Sequence, residues 1–145
     1  MRVLLDTSVV LDVILRRVPW LADAQALWQA SDDGRLLACV TATSVTDIFY
    51  VVRRYTDRHG ARQAVQLCLE TFVILPVDRS ILERAQQLSG PDYEDNVQIA
   101  AAEAAGLDAV VTRDQGDFRG SLLPIWSPAE CRQRLADPND ATPNP

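Results

Sequence analysis

The chain alternates between short apolar runs and longer segments whose apolar residues recur every three or four positions. Short apolar runs bounded by turn residues are typical of strands buried on both faces of a parallel sheet. Periodic segments predict helices with one apolar face. The pattern therefore predicts an α/β fold whose parallel sheet is covered by helices on both faces. The five predicted strands are residues 2–5, 36–40, 73–77, 109–112 and 122–126.

Helices are predicted between these strands, and several carry boundary signals. Asp78 can cap one helix, Gly106 stops another, and Pro124 places the last strand at an edge of the sheet. Right-handed crossovers bring the carboxyl ends of all parallel strands to one edge. The predicted helices are residues 9–16, 21–31, 43–56, 61–72, 81–88, 94–105 and 128–135.

A length of 145 residues favours one domain with a real core. We assign residues 1–136 to that domain and expect the tail at 137–145, rich in Pro, Asn and Asp, to be disordered. Asp6 and Asp12 interrupt the first apolar segments, so we expect neither a signal peptide nor a membrane span.

The charged residues exclude several classes of enzyme. The formal net charge is −6, and all 14 basic residues are arginine. Without lysine, a P-loop, a Schiff-base enzyme and a lysine-dependent phospho-receiver are excluded. The one histidine, His59, lies beside Gly60 in a predicted polar turn, which argues against histidine triads and zinc sites. Cys39, Cys68 and Cys131 lack metal-ligand spacing and fit buried free thiols in a reducing cytosol.

Acidic residues follow two strands and begin two helices. If the first and fourth strands are neighbours, the acids that follow them face each other across the edge where such sheets bind ligands. Each acid alone has a structural explanation, because Asp6 can cap a helix, Asp114 can form an Asx-turn, and first-turn acids suit the helix dipole. Ser44 with Asp47, and Asp92 with Asp95, also fit capping boxes. The acids are Asp6, Asp47, Asp92, Glu94, Asp95, Asp114 and Asp117.

Capping does not explain why acids both follow strands and begin helices. Two carboxylates about 4 Å apart repel by about 4 kcal/mol at an effective dielectric constant of about 20, so protons or a cation must relieve the cluster. Oxygen ligands without His or Cys select Mg²⁺ or Mn²⁺. A divalent cation held by acids is the usual device for phosphate chemistry.

These residues, in this order, resemble the PIN-domain family, and more closely its VapC-type toxin ribonucleases. The resemblance covers nearly the whole chain, to Leu135. Its motifs are Leu5-Asp6-Thr7-Ser8-Val9, Ser44-Val-Thr-Asp47-Ile-Phe-Tyr50, Asp92-Tyr-Glu-Asp95 and Val111-Thr-Arg-Asp114-x-x-Asp117-Phe118.

The resemblance implies a three-layer α/β/α sandwich with strand order 3-2-1-4-5 and a metal-dependent ribonuclease site. It implies that Asp6, Asp47, Asp95 and Asp114 are the catalytic acids and metal-site carboxylates. Asp117 is the substitute if Asp114 only shapes the loop. Supporting hydroxyls, which would orient ligands or water, come from Thr7, Ser8 and Thr112. It also implies an antitoxin partner and a homodimer.

Two positions depart from the family pattern. The family commonly has Glu where this chain has Asp47, so the shorter side chain can require a bridging water. Ser8 replaces a frequent Asn but keeps a hydrogen-bond donor. Asp12 and Glu94 are either outer ligands or, as we expect, solvated helix residues.

An acidic protein that binds RNA needs local positive charge. Arg113 is the favoured phosphate contact because it sits inside the acidic loop, ahead of the arginines at 16–17, 53–54, 58 and 119. Trp20 and Tyr50 either stack bases or pack in the core or a dimer, and the segment 20–28 with Phe49 and Val52 either forms an interface or fills the core.

Two other functions remain open. A catalytically silent PIN module that binds RNA or protein is disfavoured by the intact acids. A phosphatase of another α/β fold is disfavoured because Asp6-Thr-Ser8 lacks the Asp-x-Asp nucleophile pattern.

Overall fold

The computed structural model describes residues 1–137 and 139, which form one parallel sheet and helices on both of its faces. The strands are β1 (Arg2–Leu5), β2 (Leu37–Thr41), β3 (Val73–Leu75), β4 (Ala109–Val111) and β5 (Ile125–Trp126). The helices are α1 (Thr7–Ile14), α2 (Leu21–Asp32), α3 (Ala42–Tyr55), α4 (Arg58–Thr71), α5 (Arg79–Gln87), α6 (Tyr93–Ala104) and α7 (Pro128–Ala136). A short 3₁₀ helix, Gln115–Phe118, follows β4.

The sheet has the order β3-β2-β1-β4-β5, and every pairing is parallel, as the sequence predicts. In the central strand, Leu4 lies opposite Cys39 of β2 and Val110 of β4. Strand β5 pairs with β4 alone in the described chain, so the prediction of an edge strand is confirmed. Because β1 and β4 are neighbours, Asp6 and the loop after Val111 emerge side by side.

Alternate residues of β1 point into two separate hydrophobic cores, which gives the three layers. Val3 and Leu5 pack into the core beneath α1, α2, α3, α4 and α7. Leu4 packs on the opposite face beneath α5 and α6. Val52 is buried in the first core, and Trp28 and Phe49 pack against it, so these three fill the core as one of the two alternatives predicts.

Helix α6 packs against the sheet through small side chains. Residues 96–102 are all buried, and three of them, at 100–102, are alanines. Small side chains allow a helix backbone to approach its neighbour closely. Gly106 takes a φ of 63°, in the left-handed region that glycine tolerates, and ends the segment as predicted.

Two helix starts differ from the sequence prediction. Helix α3 is capped by Thr41, whose hydroxyl accepts from the Ser44 amide at 3.1 Å, so a capping box from Ser44 to Asp47 is wrong. Helix α4 begins before Gly60, because the Asp57 carboxylate accepts from the Gly60 amide at 2.7 Å. His59 is therefore an exposed first-turn residue and not part of a loop.

The remaining expectations concern the cysteines, membranes and the tail. Cys39, Cys68 and Cys131 are buried and free, as predicted. None of the helices within residues 1–137 combines the length and apolar character needed to cross a bilayer. Most of the tail expected to be disordered, 138 and 140–145, lies outside the described residues.

Candidate active site

Asp6 is held at the end of β1 by three hydrogen bonds. Its side chain is only 6% exposed and makes no capping bond to α1, so the capping explanation for this acid is wrong. The carboxylate accepts from the hydroxyls of Ser8 and Thr112, each at 2.8 Å, and from the Gln98 amide at 3.1 Å. Residues from three elements thus orient one carboxylate toward the edge of the sheet.

Thr112 connects Asp6 to the acidic loop that follows β4. Its buried hydroxyl donates to Asp6 and accepts from the Asp114 backbone amide at 3.0 Å. The Asp6 amide in turn donates to the Val111 carbonyl at 2.9 Å. The side chain of Asp114 caps nothing in the following 3₁₀ helix, so it is not used by local structure.

Helix α6 adds a further acid to the same place. Asp92 caps the helix by accepting from the Asp95 amide at 3.1 Å, so one of the two bonds of the predicted capping box is present. Burial raises the pKa of the Asp95 carboxyl to about 7, and the negative charges of Asp6, Asp92, Asp117 and Asp114 add to the rise. The structure therefore brings Asp6, Asp95, Asp114 and Asp117 within electrostatic reach of one another. Asp114 and Asp117 both belong to this group, and both are exposed.

Glu94 joins the cluster together with Asp47 of α3. Burial raises the pKa of Glu94 to about 8, and contact with the Asp47 carboxyl, the charge of Asp47 and the charges of Asp95 and Asp6 raise it further. Glu94 Oε1 is buried and has no hydrogen-bond partner. The expectation that Glu94 is a solvated helix residue is therefore wrong, because the first turn of α6 faces the sheet edge.

A chain of hydroxyls fixes the start of α3, which carries Asp47. The Thr7 hydroxyl donates to Ser44 at 2.8 Å, and Ser44 lies 2.9 Å from the hydroxyl of Thr41. Thr41 and Ser44 are fully buried. Thr7, predicted to orient ligands or water, thus contacts α3 in this structure, while Ser8 and Thr112 contact Asp6.

Asp12 is not solvated, contrary to expectation. Its side chain is 0% exposed and lies 3.1 Å from Arg113 Nε and 3.9 Å from the Arg17 guanidinium. Burial raises the pKa of Asp12, while the charges of Arg113 and Arg17 oppose that rise. The Arg113 guanidinium also lies 3.8 Å from the ring centroid of Trp20. Asp12 therefore serves as the counter-ion of Arg113.

Gln98 is a site residue that the sequence pattern did not reveal. It is 1% exposed and donates its amide to Asp6, while its own Oε1 has no hydrogen-bond partner. The available signal was its spacing, because Gln98 follows Asp95 by three positions and so shares a face of α6 with it. A buried glutamine needs a hydrogen-bond partner, and here the partner is the Asp6 carboxylate.

The donor set suits a hard divalent cation. The cluster offers carboxylate oxygens only, its charges repel, and one buried oxygen of Glu94 is unpaired. Across the described residues, no group of three or more His, Cys, Asp or Glu side chains is placed to form a cage that could hold a metal ion. Mg²⁺ keeps much of its water and often takes only one or two carboxylates, so the residues fit it without such a cage.

Comparisons with known proteins agree with this architecture. A model of the PIN domain family matches residues 2–116. The VapBC2 complex of Rickettsia felis, solved with a DNA fragment from its promoter, has a similar chain, with a TM-score of 0.66, 12% identity, and coverage of 88% of this chain and 98% of that one. PAE2754 of Pyrobaculum aerophilum is similar with a TM-score of 0.66, 15% identity, and coverage of 94% and 96%.

A third solved structure is described as a toxin that cleaves the sarcin-ricin loop. This protein, VapC20 of Mycobacterium tuberculosis, is similar with a TM-score of 0.63 and 13% identity, over 74% of this chain and 86% of that one. At such identities these structures establish a common fold. Curated protein sequences include no match to this chain.

Proposed function

Because the chain belongs to the PIN domain family, we propose that it is a metal-dependent endoribonuclease that hydrolyses RNA phosphodiesters, the toxin of a type II toxin–antitoxin pair. The observation that carries the proposal is the cluster in which burial and the charges of Asp6, Asp117 and Asp114 together raise the pKa of Asp95. Repulsion between like charges lowers the stability of the folded protein. Such clusters are therefore expected where a cation binds or where a reaction needs the charges.

Mg²⁺ or Mn²⁺ is the cofactor that this donor set favours. Asp6, Asp95 and Asp114 would hold it, with Asp117 as a further or alternative ligand. When bound, the ion supplies a Lewis acid for a phosphate oxygen and lowers the pKa of water.

The protein groups around these acids have separate roles in the proposed reaction. Ser8, Gln98 and Thr112 keep the Asp6 carboxylate in one orientation through their hydrogen bonds. Asp47, held against Glu94, takes the second catalytic position and acts through water because its side chain is short. Hydrolysis would leave 5′-phosphate and 3′-hydroxyl ends.

Arg113 supplies the positive charge that an acidic protein needs to bind RNA. It directly precedes Asp114, and its guanidinium is paired with the buried Asp12. A phosphate bound by Arg113 would lie beside the proposed metal-site acids. Arginine suits this role because its planar guanidinium can donate two parallel hydrogen bonds to a phosphate.

The proposal includes the partners and location of such toxins. A cognate antitoxin would cover the site, and the toxin would form a homodimer and act on cytoplasmic RNA. The described surface exposes large apolar side chains that partners can cover, among them Tyr50, Tyr55 and Leu69.

The test is cleavage of a panel of labelled RNAs with Mg²⁺, with Mn²⁺ and with EDTA. We expect fragments with 5′-phosphate ends that require the cation. The absence of cleavage from every RNA at high enzyme concentration would contradict the proposal. RNA or protein binding without cleavage would support the silent PIN module instead.

A further inference from the structure

Asp12 is a buried charge that the proposed metal site does not use. It lies on α1, its side chain is fully buried, and its neighbours are the guanidinium groups of Arg113 and Arg17. A buried carboxylate is retained only when it is paired, because its desolvation is costly. These three side chains together carry one net positive charge, and the negative charges of Asp114 and Asp6 lie within electrostatic reach of Asp12.

Trp20 restrains the same arginine from a second direction. The Arg113 guanidinium lies over the Trp20 ring at 3.8 Å, while its Nε lies 3.1 Å from Asp12 Oδ2. Trp20 is 41% exposed although it contacts this group, so it is not simply a core residue. The 3.1 Å contact with Asp12 is an ion pair without hydrogen-bond geometry, so contact with a ring face and a close opposite charge together restrain the guanidinium.

The backbone of Arg113 is fixed as well. Thr112, the residue before it, donates a hydrogen bond to Asp6. The backbone amide of Asp114, the residue after it, donates a hydrogen bond to the Thr112 hydroxyl. Phe118 is buried and anchors the far end of the loop. No described residue accepts a hydrogen bond from Nη1 or Nη2 of Arg113, so these two amino groups are available to a ligand.

We propose that Asp12 and Trp20 are positioning residues that hold the Arg113 guanidinium so that its two amino groups bind a phosphate of the RNA strand. This inference rests on the proposed ribonuclease function. Asp12 supplies a fixed negative charge beside the guanidinium, and Trp20 supplies a ring on which the guanidinium lies. Arg113 thereby meets the phosphate without first losing side-chain freedom, which lowers the entropic cost of binding.

The first test measures binding of a fluorescein-labelled 20-nucleotide RNA of mixed sequence in EDTA, so that no cleavage occurs. We expect Trp20→Leu to weaken binding about three- to tenfold, as expected for loss of a cation–π contact. Arg113→Gln weakens binding further. It also lowers the slope of the logarithm of the binding constant against the logarithm of the salt concentration by about 0.7, which corresponds to one phosphate contact on a single strand. Asp12→Asn weakens binding although it removes a negative charge.

A double-mutant cycle separates positioning from direct base stacking. If Trp20 acts through Arg113, Trp20→Leu changes binding less than twofold in an Arg113→Gln background. Arg132→Gln is the matched control, because Arg132 forms an exposed ion pair with Asp23 at 3.1 Å and does not contact Arg113. This control leaves RNA binding within twofold of the unchanged protein.

The second test needs no RNA. In a ¹H–¹⁵N spectrum of arginine side chains, the Arg113 Nε–Hε signal is assigned by its loss in Arg113→Gln. The Trp20 ring current shifts this signal from the ordinary arginine position, and Trp20→Leu returns it.

Additive effects in the cycle, tighter RNA binding by Asp12→Asn, or an unshifted Arg113 signal would overturn the inference. So would a complete absence of RNA binding by the unchanged protein. Failure of the ribonuclease function has a different signature, because RNA then binds with a non-additive cycle but is not cut when Mg²⁺ is added.

Discussion

Gln98 and Asp6 lie 92 positions apart in the chain, yet the Gln98 amide donates a hydrogen bond of 3.1 Å to the buried Asp6 carboxylate. This bond joins the central strand to α6, the helix that carries Asp95 and Glu94. It therefore couples the orientation of one acid to the placement of two others.

Replacing Gln98 with leucine should lower cleavage more than stability. We expect kcat to fall about 10- to 100-fold, the usual effect of removing a group that orients a metal ligand. The free energy of unfolding should change little, because the variant also removes the unpaired Gln98 Oε1.

Gln66→Leu is the control for this variant, since Gln66 donates a 2.8 Å hydrogen bond to Glu70 on the surface. It should leave kcat unchanged. Equal losses of kcat in both variants, measured on one labelled RNA, would contradict the role given to Gln98.

Asp6→Asn should abolish cleavage while the protein remains folded. Removing one negative charge from the cluster relieves repulsion, so the metal-free variant should be as stable as the unchanged protein or more stable. Circular dichroism and thermal unfolding check the fold, with the exposed Asp32→Asn as a fully active control. An active Asp6→Asn protein would show that the metal-site assignment is wrong.

The metal-free protein should lose stability as the pH rises from about 4 to about 8. The folded state binds more protons in this range, because burial raises the pKa of Glu94 from 4.5 to about 8 and that of Asp95 from 3.8 to about 7. The free energy of unfolding then falls as the pH rises, because its slope with pH is proportional to the number of protons bound by the unfolded state minus the number bound by the folded state.

Urea unfolding in EDTA at several pH values measures this slope. Glu94→Gln should flatten the fall between pH 5 and 8, whereas Glu83→Gln, which loses an exposed ion pair with Arg79, should not. A stability that rises with pH in this window would be inconsistent with the buried carboxyl groups.

Divalent cations should stabilise the protein, and more strongly at pH 8 than at pH 6. At a concentration about 100 times its Kd, a ligand of the folded state adds about 2.7 kcal/mol to the free energy of unfolding. The gain is smaller at low pH because protons on Asp95 and Glu94 compete with the ion. Differential scanning calorimetry with Mg²⁺ and Mn²⁺ measures the effect, and Asp6→Asn should show little of it.

The fold was predictable because its strands are short and apolar, and part of the site was predictable because acids follow two of these strands. The run at Val3–Leu5 and the run at β4 are buried on both faces, which gives them a pattern that few other elements share. The proximity of the acids that follow these two strands is then a consequence of topology alone, since neighbouring parallel strands end at one edge of the sheet. The start of α4 was misplaced because Gly60 looked like a turn, while Asp57 supplies a cap three residues earlier.

The pairing of Asp12 with Arg113 could not be predicted from local pattern. An acid in a short helix normally faces solvent, and only the approach of the β4 loop to α1 supplies the partner that allows burial. Glu94 was misjudged for the same reason, because its burial depends on Asp47 from a distant helix. Gln98 was missed because an amide gives no charge signal in the sequence.

The three alanines at positions 100–102 of α6 carry no reactive group, yet they pack in the core between the sheet and the helix that carries Asp95. Apart from glycine, alanine has the smallest side chain, so it allows the closest packing of a helix on a sheet. Enlarging Ala101 to valine or leucine would push α6 away from the sheet. Substitutions far from the acids would therefore lower the proposed activity by increasing the distance between the carboxylates.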